Sequence, residues 1–230
     1  SCAAVMTAAL ATTTLAKPAG GGDPHYREVT RFKAPEARQG VAVDRNHIYV
    51  IGNTRIGVYD KDSLEKVRGW SCPEGEPLIH LNAGIVERGL LYATHSNYPG
   101  VPMLSSIEIW KVPELEHVDT HSFGIRWGSL TWVDHHEGSW YACFAHYANR
   151  AAEPDRDPSW TQLVRLDSEF RLVEGWAFPE ELIEQEFGEF SSSGGAFGPD
   201  GRLYVTGHDH RKLYVLEFPE MGSTLEWVIE

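Results

Sequence analysis

Cysteine is scarce in this chain, with three in 230 residues. Cys72 and Cys143 are too few to define a disulfide framework, so stability must come from a hydrophobic core that a chain of this length can build. Basic residues are also few: 20 Lys and Arg stand against 33 Asp and Glu, a formal charge of −13. They are scattered singly. A nucleic-acid partner needs a concentrated basic face to displace counterions, and a membrane-surface patch needs a basic run, so both are excluded. No apolar run approaches the roughly 20 residues that span a bilayer, which excludes membrane insertion by a helix. Helical periodicity is nearly missing as well; only "PEELIEQEF", Pro179 to Phe187, suits a short helix, with Pro in its first turn.

An initiator Met is lacking, and "TLEWVIE" at the end stops inside a strand-like pattern, so the chain reads as truncated. The opening "SCAAVMTAALATTTLA" is small and apolar, and Ala9-Leu10-Ala11 has the form of a secretory cleavage site. Residues 1–25 are expected to be a leader or disordered arm and 26–230 one domain, incomplete at its C-terminus. That favours a periplasmic or secreted protein; a short surface helix on a cytoplasmic protein is the alternative.

What the chain does have is one phrase said four times. A small-residue start, an apolar strand, a polar turn and a second strand containing Tyr recur in "QGVAVDRNHIYVIGN", "NAGIVERGLLYATHSN", "GSLTWVDHHEGSWYACFAHY" and "SGGAFGPDGRLYVTGHDH". A third strand follows each ("RIGVYD", "SSIEIW", "TQLVRLD", "RKLYVLEF"), then a weaker fourth ("EKVRGW", "EHVDTHSF", "RLVEGWAF", "STLEWVIE"). Four antiparallel strands repeating every 40 to 60 residues or so predict an all-β fold, a β-propeller with four visible four-stranded blades. "YREVTRFKAP" reads as an orphan outer strand that closes a ring. Five blades are expected in the full-length protein, with six as the alternative.

"GVAVDRNHIYV" resembles an NHL-type propeller repeat, and "GAFGPDGRLYVTG" resembles the blade phrase of the SMP-30/gluconolactonase group. "HLNAGIVERGLLYATHSNYPGVPMLSSIEIW" together with "SSSGGAFGPDGRLYVTGHD" is similar to bacterial propellers labelled cycloisomerases, over nearly all of Tyr26 to Glu230. The resemblance implies a propeller hydrolase or isomerase working on a lactone-like or carboxylate substrate. The gluconolactonase group places a Glu metal ligand at the start of its first blade; here "EARQGVAV" presents Gln39, which departs from that calcium-type centre.

In a propeller, the connection into each first strand and the connection from second to third strand meet at one open face. The former supplies Gln39, Asn82, Ser129 and Ser193. Counting from the tyrosine of each second strand, the latter supplies Asn53, His95, His146 and His208. Three histidines at equivalent strand ends suit one divalent metal, zinc or iron more readily than calcium, or general acid and base work without a metal. The alternative is three histidines packing between blades. "HSNYPGVPMLSS" and "HYANRAAEPDRDPSW", the second with Arg150 and Arg156, are long enough to form a rim, and Arg150 would meet a substrate carboxylate. His80 can also reach the channel or simply pack. His135 and His136 are expected in the hairpin turn at the opposite end, Asp209 as an orienting partner of His208, and His210 at the surface. The reading is a monomeric enzyme of a small carboxylate or lactone, the alternative a non-catalytic propeller that binds a small ligand or a protein.

Overall fold

The computed structural model describes residues 28–148 and 150–228. It is a β-propeller of four antiparallel four-stranded blades. Blade 1 comprises β1 (Gly40–Val43), β2 (His47–Gly52), β3 (Arg55–Asp60) and β4 (Lys66–Ser71). Blade 2 comprises β5 (Leu81–Glu87), β6 (Leu90–Ser96), β7 (Ser105–Lys111) and β8 (Glu116–Gly124). Blade 3 comprises β9 (Ser129–His136), β10 (Ser139–Ala145), β11 (Gln162–Leu166) and β12 (Leu172–Ala177). Blade 4 comprises β13 (Ser192–Phe197), β14 (Leu203–Gly207), β15 (Tyr214–Glu217) and β16 (Glu226–Val228). The inner strands pack in chain order, β1 on β5, β5 on β9 and β9 on β13.

Blades 2 and 3 are buried on both faces, and strand alternation divides their apolar residues between two neighbours, while blades 1 and 4 each share a core with one neighbour among the described residues. Tyr49, Ile51, Ile56 and Val58 of blade 1 meet Leu91, Ala93 and Trp110 of blade 2. The other face of β7 sends Ile107 and Ile109 against Leu130, Val133 and Phe144 of blade 3. Trp132, Cys143 and Leu163 then meet Leu203, Val205 and Leu216 of blade 4. The blades thus share cores between them, and no blade buries its side chains alone.

Two hairpins explain the polar turns of the repeated phrase. Arg88-Gly89 and Glu137-Gly138 both have positive φ, at 50° and 78° and at 48° and 78°, the two-residue turn whose twist matches that of its strands. The small residues opening each phrase have a packing cause: a Cβ on Gly195 of β13 would lie 2.5 Å from ring carbons of Trp132 on β9. Glycine lets the indole lie flat on the neighbouring inner strand, where its Nε1 donates to Ser192 Oγ at 3.0 Å.

Two expectations are corrected. Residues 28–39 form no strand; the segment lies on blade 1 through Phe32, whose ring is 5.2 Å from Tyr59, and through buried Glu36. Glu36 accepts from Tyr59 Oη at 2.7 Å and Lys66 Nζ at 2.6 Å, a side-chain anchor that replaces ladder pairing. His135 and His136 belong to β9 rather than its turn, because Glu137-Gly138 closes the hairpin alone; His136 stacks on Phe197 at 4.1 Å. The short helix expected at Pro179–Phe187 is present, α-helical for Glu180–Leu182 and then widening into a π-helix over Ile183–Phe187. The leader expected at 1–25 lies outside the described residues. No helix among the described residues is long and apolar enough to cross a membrane.

Candidate functional site

The connections predicted to share one face do so, and backbone hydrogen bonds join them. Leu81 N donates to Asn53 O at 2.8 Å, Ser96 N to His80 O at 3.1 Å, and Ala148 N to Glu189 O at 3.1 Å. The two long loops pack together, with Met103 and Tyr98 from one against Ala145, Tyr147 and Ala151 from β10 and the other.

The three histidines occupy this end but do not form one cluster. His95, at the end of β6, is buried, with Nδ1 at 3.0 Å from Ser106 Oγ. His146, just past β10, is buried, with Nδ1 at 3.1 Å from Glu153 Oε2. His208 is exposed, stacks on Phe190 at 4.2 Å, and has Nδ1 at 2.8 Å from Asp209 Oδ1. Among the described residues no group of three or more His, Cys, Asp or Glu side chains is placed to hold a metal ion. The donor set therefore does not fit the zinc or iron centre that equivalent strand positions suggested. The reason is local: each ring turns to its own partner within its blade or loop.

The remaining predicted residues divide the same way. Gln39 Nε2 donates to Asn53 Oδ1 at 2.5 Å, pairing the two blade 1 candidates with each other. Buried Asn82 donates to Leu130 O of blade 3 at 3.0 Å, and buried Ser129 donates to Ser96 Oγ at 3.0 Å, so both stitch blades together. Ser193 Oγ donates to Gly207 O at 2.8 Å. His210 is exposed.

Arg150 stands apart. Its guanidinium lies over the Tyr98 ring, 5.3 Å from the centroid, and its Nε donates to Tyr98 Oη at 3.3 Å. Among the described residues no carboxylate pairs with it, and it is exposed. The same Tyr98 ring lies 5.0 Å from the ring of His80 and 5.3 Å from that of Tyr147. Sequence reasoning left His80 open and missed Tyr98 and Tyr147. The Tyr98-containing loop was visible as long, but nothing in its spacing says which aromatic turns inward.

Electrostatics keep these imidazoles neutral. Burial, with His95 and Arg150 acting in the same direction, drives the pKa of His80 down to about 4. Burial also lowers His95 against the opposing pull of Glu108 and the Pro77 carbonyl. His146 is lowered chiefly by burial, with Arg156 helping and Glu153 opposing. The site thus combines one exposed cation with half-buried and buried neutral bases. It can accept protons and hold an anion.

The sequence matches no known protein family and no curated protein. Among solved structures, the chain is similar to the hydrazine synthase of Kuenenia stuttgartiensis at 12% identity, covering 82% of this chain and 53% of that one with a TM-score of 0.47. It is similar to the Cps50 (Swd1) β-propeller domain of Myceliophteria thermophila at 8% identity, covering 82% and 57% with a TM-score of 0.49. Hsv2 of Kluyvelomyces marxianus matches at 15% identity, covering 83% and 52% with a TM-score of 0.42. The chain spans little more than half the length of these structures.

Proposed function

We propose that the loop end of this propeller binds a small carboxylate or lactone-type molecule against Arg150, Tyr98 and His80. The observation that carries the reading is the exposed guanidinium of Arg150, without a carboxylate partner among the described residues and stacked on the ring that also faces His80. A carboxylate takes a guanidinium through charge-assisted hydrogen bonds, and Tyr98 offers an apolar surface to the rest of the ligand. His80 is a neutral base at pH 7, suited to take a proton from water attacking a lactone carbonyl or from carbon beside one. That is the chemistry of a lactone hydrolase or a cycloisomerase. The resemblance of the blade phrases to lactonase and cycloisomerase propellers agrees with it but does not carry it.

Calorimetric titration of small lactones and their hydroxy-acid products tests binding, and a coupled proton-release assay tests turnover. Arg150→Ala is expected to weaken carboxylate binding about tenfold or more, which is about 1.4 kcal/mol. Absence of binding across lactones and carboxylates with the native chain would remove the reading.

A second reading rests on Trp160, which is 55% exposed with Arg156 over its ring at 5.8 Å. Arg156 also donates to the carbonyl of Arg126, beside exposed Ile125. Exposed Trp and Arg together are typical of protein contact sites, so this rim suits a non-catalytic propeller that docks a protein. Ligand binding without turnover, together with a complex lost in Trp160→Ala, would favour it.

A further inference from the structure

Blade 2 contains a buried polar chain behind His95. Ser106 and Glu108 are two residues apart on β7, on the face that also carries Trp110 toward blade 1. Ser106 Oγ donates to Glu108 Oε1 at 2.6 Å. On the other oxygen, Glu108 Oε2 accepts from Thr120 Oγ1 at 2.6 Å and from His117 Nε2 at 2.9 Å, both on β8. Glu108 is 1% exposed and His95 3%.

Counting protons fixes the state of His95. A carboxylate only accepts, and three donors converge on Glu108. The single hydroxyl proton of Ser106 is committed to Glu108, so toward His95 the same oxygen must accept. The proton of the neutral imidazole therefore sits on Nδ1, 3.0 Å away. Nε2 is left as a bare lone pair, buried and without a hydrogen-bond partner among the described residues; the Pro77 carbonyl near the ring is itself an acceptor and does not fill it. A buried acceptor of this kind is costly unless something fills it.

We infer that Glu108, acting through Ser106, is a positioning residue that holds His95 as the Nδ1–H tautomer and keeps Nε2 as an acceptor for a donor at the loop end. The donor would be a hydroxyl, of water or of the ligand. His80 and His95 share the loop end of blade 2: Leu81, next to His80, pairs with His95 across the ladder, and Ser96 N donates to His80 O at 3.1 Å. The role of the acceptor in ligand chemistry rests on the proposed function; the tautomer does not.

The test uses the full chain with histidine labelled at both ring nitrogens. Two-bond proton–nitrogen correlation at neutral pH is expected to show His95 protonated on Nδ1. In Glu108→Gln the two donors Thr120 and His117 claim the amide oxygen, which turns the amide NH2 to Ser106. The serine hydroxyl then donates to His95 Nδ1, and the ring switches to Nε2–H. A correlation spectrum showing Nε2–H in the native chain would overturn the inference, as would an unchanged His95 tautomer in a folded Glu108→Gln variant. Ser106→Ala, which cuts the link, is expected to give a mixture of tautomers. If Glu108→Gln does not fold, the native spectrum and Ser106→Ala still decide. None of these readouts requires a ligand, so failure of the proposed function leaves them intact.

Discussion

His146 and Glu153 join the end of β10 to the rim: His146 Nδ1 lies 3.1 Å from one Glu153 oxygen, while the other accepts from Met103 N at 3.0 Å. One carboxylate thus holds the second long loop to its own strand and to the first loop. Glu153→Ala removes both bonds and leaves the buried His146 nitrogen and the Met103 amide unpaired. A loss of about 1–3 kcal/mol is expected for each group so abandoned. Urea unfolding measures the total, and hydrogen exchange by mass spectrometry locates it, with faster exchange expected at 97–104 and 150–160. Unchanged exchange in those loops would show that the apolar cluster of Met103, Tyr147 and Ala151 holds them without Glu153.

The contact of Gly195 with Trp132 gives a second expectation. A methyl group at residue 195 would overlap the indole at 2.5 Å, and the fully buried ring has little room to give way. Gly195→Ala is expected to destabilise by about 1–3 kcal/mol, the usual range for overpacking a core. Tryptophan fluorescence during urea unfolding reports the stability. Stability within about 0.5 kcal/mol of the native chain would mean the two inner strands separate freely, contrary to a shared core.

The propeller was legible because each blade repeats a pattern that only its neighbours can bury. "IYV", "LYA", "WYACF" and "LYV" all alternate, and their turns carry Gly or Asp where hairpins require them. The common loop face followed from topology. What failed was the step from equivalent positions to convergence. His95, His146 and His208 do occupy matching strand ends, but ring orientation depends on partners such as Ser106, Glu153 and Phe190, which lie in other strands and loops. His135 and His136 were misplaced for a simpler reason: a two-residue turn needs only Glu137-Gly138, so the strand runs two residues further than the polar cluster suggested. Tyr98 could not be picked out, since a loop without periodicity gives no inward side.

Cys143 is expected to be chemically silent. It is fully buried between blades 3 and 4, and burial pushes its thiol up to about 12. Only the thiolate reacts, so alkylation at pH 8 should leave Cys143 unmodified in the native chain and modify it fully in urea, while Cys72, partly exposed, reacts in both. Peptide mapping by mass spectrometry separates the two. Rapid native labelling of Cys143 would show that the interface between blades 3 and 4 opens on the labelling timescale.

His80 makes stability depend on pH in a definite direction. Its folded pKa is about 4 against an unfolded value near 6.5. Between these values the unfolded chain binds the proton and the folded chain does not, so stability is full above about pH 6.5 and falls as pH drops toward 4. The loss from this group is about 3 kcal/mol at most. His95 and His146, also lowered by burial, add to it in the same direction. Asp134 opposes them, because burial raises its carboxyl pKa and the protonated form favours the fold. His80→Asn removes one titrating group while keeping a polar side chain beside Asn82. Urea midpoints for the native chain and the variant at pH 7, 6, 5 and 4.5 should converge as pH falls. Curves that stay parallel through that window would mean that His80 is solvated in solution, and the proposed ligand site would lose its neutral base.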